Sequence, residues 1–310
     1  MFSHPVGDAP GRVPSPQQTQ RRPFLIALFL FLLTILSTLA VGAHLAQAYA
    51  QNQPPFSTEF QPYSAILADP SRLLLGIPFS FTLLGILLAH ELGHYFACRY
   101  YSISASYPYF LPAPTIIGTL GAFIRIRSPM VNRKALFDVG LAGPVVGFLF
   151  AVPALAIAIA HSKIVPEAQG GSLIVFGDPP LAWLLTAWLR PGIRPEDILL
   201  HPVGRAAWVG LFATALNLLP AGQLDGGHIL YALASEKHRR VTVGVALALL
   251  PLCFLWPGWV VWSVLLLLLG FRHPALLNPW EPLDTKRRVW AGIALLIFIL
   301  CFMPAPFALR

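Results

Sequence analysis

The sequence is divided into long apolar runs, two of them short for a membrane span, separated by short basic segments. The first runs from Leu25 to about Ala46, and others cover about 74–98, 136–160, 206–219, 241–256, 259–270 and 289–306. A helix needs about 20 apolar residues to cross the hydrocarbon core. Over all 310 residues, 56% are hydrophobic and 11% charged. That leaves too little polar surface to coat a water-soluble globule. The composition excludes a disordered chain, a secreted disulfide scaffold and a cytosolic enzyme. Cys98, Cys253 and Cys301 sit in apolar runs and form no CxxC pair, so they point to neither a disulfide framework nor a thiolate metal site.

The net charge of +8 would suit nucleic-acid binding if the cations were gathered on one surface. They fall instead in clusters between the apolar runs. With the N-terminus cytoplasmic and 241–270 read as a hairpin, fifteen basic residues lie inside and six outside. One kinked helix over 241–270 would move the Arg272 to Arg288 cluster to the other face. The positive-inside bias therefore favours the hairpin, a cytoplasmic N-terminus and no nucleic-acid partner.

These features predict an all-α polytopic membrane protein of about six to seven transmembrane helices. Residues 1–22, rich in Pro and Gln, read as a disordered tail. Residues 23–306 read as one membrane-embedded domain with its motif-bearing core at about 74–235. The segment 161–205, with Trp183 and Trp188, reads as an outer interfacial loop. AQAYA at 46–50 has the small residues of a signal-peptide cleavage site, but the preceding run is longer than a signal h-region, so an uncleaved helix is expected. Residues 107–127 hold Pro108, Pro112 and Pro114, then β-formers, Gly118 and Gly121. They predict a re-entrant, β-like loop between the second and third spans, tolerated at membrane depth only where protein or water satisfies its backbone.

The chemistry begins at His90-Glu91-Leu92-Gly93-His94. Helix positions i and i+4 share a face, so both imidazoles can address one ion, with Glu91 beside it. The composition predicts about 0.005 such motifs in a chain of this length. Three ionisable groups in one membrane helix cost several kcal/mol unless paired or metal-bound. HExxH supplies two ligands, and zinc chemistry uses three with one position open. Asp138 and Asp225 are the other acids in or beside apolar runs. Asp225 falls at the same depth as His94 in the proposed topology. Asp138, at the start of the next run, reads as a helix cap or a group supporting the ligands. His228, one turn after Asp225, could support the site in the same way. Arg125 and Arg127 read as markers of the cytoplasmic surface that could also attract anionic lipid or a substrate tail.

HELGH, GTLG at 118–121, FDVGLAGP at 137–144 and NLLPAGQLDGG at 217–227 occur in an order and spacing that resemble the site-2 protease family of intramembrane zinc metalloproteases. The similarity covers roughly residues 74–235 and is to the compact type without a peptide-binding insertion, as in plant chloroplast and bacterial members. The resemblance implies that His90, His94 and Asp225 hold one Zn2+ ion. It implies Glu91 as general base and Asn217 as a group holding substrate or oxyanion. Gly118, Thr119 and Gly121 would lie beside the substrate strand. The implied substrate is a transmembrane protein, cut in regulated intramembrane proteolysis. A catalytically silent membrane chaperone or scaffold, or a metal transporter, would use the same polar residues differently. The tail lacks the Ser- and Arg-rich character of a transit peptide, which favours a bacterial plasma membrane over an organelle. The oligomeric state stays open.

Overall fold

A computed structural model describes residues 16–56, 62, 63, 69–166, 168, 174–269 and 276–309. Helix α1 spans Pro16–Ala50. Residues 16–22 are thus helical rather than part of a tail: Pro16 suits a first helical position, and Gln and Arg propagate a helix well. Residues 1–15, the rest of the expected tail, lie outside the described residues. AQAYA forms the closing turn of α1. A 3-10 turn, Pro70–Gly76, leads into α2, Ile77–Tyr100. Gly42 and Gly76 let the two segments meet: a Cβ on Gly42 would lie 2.6 Å from the Gly76 carbonyl oxygen. Close approach through small residues is how helices associate in lipid. Thr38 Oγ1 and Ser80 Oγ add a buried hydrogen bond of 2.7 Å.

α2 ends in a Schellman turn. Ser102 takes φ 55°, its N–H bonds the Arg99 carbonyl, and the Ile103 N–H reaches the Cys98 carbonyl at 2.8 Å. The chain then forms an antiparallel hairpin of β1, Tyr109–Pro112, and β2, Thr119–Phe123, with a bulge between Phe110 and Pro112. The β character expected of 107–127 is therefore present.

α3 spans Arg133–His161 and is capped by Asn132, whose side-chain oxygen accepts the Ala135 N–H at 2.9 Å. This corrects the reading of Asp138 as a cap. The helix starts five residues earlier, because Asn132 satisfies its first N–H groups better than an interior acid can. Short strands β3, Lys163–Ile164, and β5, Ile198–Leu199, pair across the 161–205 segment. β4, Ile174–Phe176, pairs with β6, Phe307–Leu309, near the C-terminus. Between them α4, Pro180–Leu189, exposes Trp183 and Trp188.

α5, Pro202–Asn217, is buried along most of its length. α6 spans Asp225–Leu249 with a kink at Ala234, and α7 spans Gly258–Leu269. A 3-10 turn at Leu250–Phe254 separates them and α7 packs back on α6, so 241–269 forms two helices and not one kinked rod. α8, Thr285–Cys301, is capped by Asp284. Among the described residues, three segments are long and apolar enough to cross a membrane: Arg22–Ala50, Pro70–Tyr100 and Arg133–His161. The core lies where α2, α3 and α5 meet, with Leu136, Phe137, Leu155 and Leu211 fully enclosed.

Candidate metal centre

His90 and His94 occupy the buried face of α2, one turn apart, as the i, i+4 spacing requires. Opposite them α3 presents Gly143 and Gly147, while Gly140 faces His228 and the Asp225 carbonyl. A Cβ on Gly143 would fall 2.1 Å from His94 Nε2, and one on Gly147 would fall 3.1 Å from His90 Nδ1. The glycines of the 137–147 stretch thus make the recess in which the imidazoles stand. His94 Nδ1 donates to the Val139 carbonyl at 2.7 Å, which leaves Nε2 as the nitrogen with a free lone pair.

Asp225 arrives from a third direction. α5 ends at Asn217, Pro220 blocks its continuation, and Gly222 turns the chain with φ 62°. Two groups from α6 hold this turn. His238 Nε2 donates to the Gly222 carbonyl at 3.0 Å, and the Gly222 N–H donates to Thr242 Oγ1 at 3.1 Å. Gly226 and Gly227 pack on the Leu218 and Gly222 carbonyl oxygens at 2.2 and 2.3 Å from their would-be Cβ atoms. Their approach is to chain. Asp225, the first residue of α6, is thereby aimed at the imidazoles.

The three donor atoms converge. His90 Nε2 and His94 Nε2 are 3.1 Å apart, and Asp225 Oδ2 is 3.3 Å from each. Donors around one tetrahedral ion at zinc bond lengths of about 2.0–2.2 Å stand about 3.3–3.6 Å apart. The set therefore fits such an ion in chemistry, spacing and burial, and it is the group of three or more ligand-type side chains found among the described residues. A cavity of about 200 Å³ opens over it. Glu91, only 5% exposed, lines this cavity with Asn217, Gln223 and His228. The Asn217 amide nitrogen is 3.3 Å from His90 Nε2.

The outer wall of the cavity is Ala122, Phe123, Ile124 and Ile126, from β2 and the residues after it. Gly118, Thr119 and Gly121 are elsewhere. The Gly118 carbonyl accepts Ser37 Oγ at 2.6 Å from α1, and a Cβ there would lie 2.8 Å from the Ser37 carbonyl oxygen. Thr119 Oγ1 donates to the Leu111 carbonyl at 2.8 Å and accepts the Gly121 N–H at 3.0 Å. These residues fasten the hairpin to itself and to α1, and their positive φ angles of 86° and 100° at Gly118 and Gly121 explain the glycines. The wall residues 122–124 belong to the 107–127 stretch that the sequence marks as β-like, although Ala, Phe and Ile carry no chemical signature that singles them out within it.

Asp138 stands apart from the donor set. Arg287 Nε and Nη2 bond its two carboxylate oxygens at 2.8 and 2.5 Å, and the Tyr101 hydroxyl donates to it.

Residues 78–256 match the profile of Peptidase family M50. This chain belongs to peptidase family M50. An alignment over 313 residues gives 31% identity to "Probable zinc metalloprotease EGY1, chloroplastic" of Arabidopsis thaliana, covering 94% of this chain and 55% of that protein. "Probable zinc metalloprotease EGY2, chloroplastic" of the same plant is 31% identical over 75% of this chain and 42% of its own length. "Probable zinc metalloprotease EGY3, chloroplastic" of Oryza sativa subsp. indica is 26% identical over 71% of this chain and 41% of its own. The chain spans about half the length of these relatives, or less. The M50 match contains HELGH, the α3 glycines, Asn217 and Asp225, so the described cavity lies wholly within the family region.

Proposed function

We propose that this M50 protein is an intramembrane zinc metalloprotease that hydrolyses a peptide bond within or near a transmembrane segment of another protein. The observation that carries the proposal is the buried His90–His94–Asp225 group at the floor of a cavity whose wall contains Glu91. The zinc wording in the relatives' names supports the choice of ion. Bound by these residues, zinc supplies Lewis-acid activation of water and of the scissile carbonyl.

Each protein group then has one task. His94, held by Val139, and His90 present Nε2, and Asp225 adds the negative charge that favours a dication. The Glu91 carboxylate accepts a proton from the attacking water and returns it to the leaving amine. The Asn217 amide donates to the developing oxyanion. A helical substrate hides its carbonyls in its own hydrogen bonds, so the cleaved stretch must be extended. β2 is paired only with β1 among the described residues, and its other side borders the cavity. An extended segment added there would gain main-chain hydrogen bonds along 122–124. Gly118, Thr119 and Gly121 serve this step by holding the strand in place.

In this reading residues 23–306 form one membrane domain with the hairpin re-entrant, and α5 to α8 join the three long helices to give six to seven spans. The 161–205 segment, with the exposed tryptophans of α4, lies at the outer interface, and the basic segments face the cytoplasm. Regulated intramembrane proteolysis is the matching role. The relatives are named chloroplastic, which favours an organelle membrane over the bacterial plasma membrane expected from the sequence.

The test compares the wild type with Glu91→Gln in proteoliposomes that contain transmembrane reporter peptides. The variant should keep its zinc and lose cleavage. Equal cleavage by both proteins would defeat the proposal, and zinc retention without cleavage in either would favour a silent scaffold.

A further inference from the structure

A second polar cavity, of about 280 Å³, lies at the C-terminal end of α2, separate from the metal centre. Its lining includes Tyr95, Arg99, Ser104, Ser106, Tyr107 and Arg127, and Pro23 of α1 closes one side. Among the described residues, neither Arg99 nor Arg127 forms an ion pair or side-chain hydrogen bond. The sequence offers no neighbouring counter-charge either: no acid occurs between Glu91 and Asp138, or between Asp8 and Glu59. Arg99 offsets the negative end of α2, but that helix already closes its carbonyls in the Schellman turn, and the role leaves Arg127 unexplained.

The rim of the cavity is apolar. Phe24, Leu25 and Phe29 of α1 and Phe96 and Tyr100 of α2 are all exposed. Tyr107 stands edge-on to Phe24 with ring centroids 5.6 Å apart, joining α1 to the segment that follows α2 at the cavity mouth. Aromatic rings bordering an apolar face mark headgroup depth, where a guanidinium pair meets phosphodiesters. We propose that this cavity binds the phosphate headgroup of an anionic phospholipid, with the acyl chains lying along Leu25, Phe29 and Phe96. Two bidentate guanidiniums suit a phosphate's oxygens, and the Ser104 and Tyr hydroxyls can supply further donors. The proposal depends on the membrane reading and not on zinc or proteolysis.

The test uses the whole protein in phosphatidylcholine nanodiscs, titrated with phosphatidylglycerol and read by native mass spectrometry as lipids retained. The wild type should hold phosphatidylglycerol in preference to phosphatidylcholine. Arg99→Gln/Arg127→Gln should weaken retention about 30-fold, from about fivefold per cation near an anionic surface. The charge-matched Lys286→Gln/Arg288→Gln should retain it as the wild type does. A photoactivatable phosphatidylglycerol should label Tyr95 or Tyr107 in the unmodified protein, which keeps the proposal testable if the double variant is poorly folded. Equal retention of both lipids, equal weakening in both variants, or labelling elsewhere overturns the site. Saturation by inorganic phosphate with no lipid preference would assign it to free phosphate. Binding of an acidic peptide in place of lipid would assign it to a protein partner. Either result overturns the lipid.

Discussion

Arg287 bonds both carboxylate oxygens of Asp138, one residue before the Val139 carbonyl that fixes the His94 ring. The last helix is thereby tied to the wall of the metal centre across 149 residues of sequence. The pair is partly buried, with side chains 21% and 29% exposed. Arg287→Gln should cost about 1–3 kcal/mol, between the values of exposed and buried pairs. The double variant Asp138→Asn/Arg287→Gln should recover part of that loss, since it leaves no unpaired charge. Thermal unfolding of the purified single and double variants measures both; a double variant as unstable as the sum of its parts would deny the coupling.

Asp225→Ala should lower zinc occupancy sharply, because two imidazoles alone leave the ion short of a donor. Asp138→Asn should leave occupancy intact, since Asp138 is spent on Arg287 and Tyr101. Metal analysis of both variants after dialysis decides the matter. Full zinc in Asp225→Ala would mean that another residue completes the set.

Gly143→Ala places a methyl 2.1 Å from His94 Nε2, in the space a ligand nitrogen and its ion must share. Zinc affinity should fall about tenfold or more, as when a ligand loses its orientation. Gly85→Ala, where a methyl meets nothing within 4 Å, should be silent. A chelator competition assay on the two variants separates a packing effect at the site from a general cost of alanine.

His238→Ala removes the donor to the Gly222 carbonyl and frees the turn that aims Asp225. Zinc affinity should drop, by about 10- to 100-fold if the turn behaves like other supports of metal ligands. His238→Asn or Gln, with a donor retained, should restore part of it. Isothermal titration of the metal-free proteins with zinc provides the comparison.

Asp178 lies in the loop before α4, and burial pushes its carboxyl up to about 6, opposed by the nearby Arg205 charge. The folded state then binds its proton more tightly than the unfolded chain does. Stability from this group is full below about pH 4, declines as the pH rises through 6, and is level above that. Asp178→Asn should remove this slope, so the difference in melting temperature between wild type and variant should change between pH 4 and 6 and nowhere else. A flat difference across that range would place Asp178 in solvent.

The metal centre was more legible than the scaffold around it. HELGH offers two candidate donors and a neighbouring carboxylate within five residues, the scarcity of acids in apolar runs narrows a third donor to Asp138 or Asp225, and the choice of Asp225 and of Asn217 is what the family resemblance implies. Helix spacing does the rest. The supports could not be read in this way. Arg287, Tyr101, His238 and Thr242 are ordinary residues whose importance comes from partners 16 to 186 positions away. Of the two roles the sequence allows Asp138, the cap belongs to Asn132, because dipole arguments favour an acid near a helix start without fixing where the helix begins. The family resemblance places the glycines of GTLG beside the substrate strand, and residue type alone equally allows a tight turn. That Gly118 turns toward Ser37 of α1 is visible only in the fold.

The Ser37–Gly118 bond has a mechanical corollary. α1 exposes its early apolar residues and carries the hairpin on its later ones, so a tilt of α1 would move the strand beside the cavity with it. Long apolar helices tilt to match the bilayer around them. In the proposed membrane reading, hydrocarbon thickness would thus reach the cavity wall through the Ser37–Gly118 bond and the packing of Phe31 on Phe110.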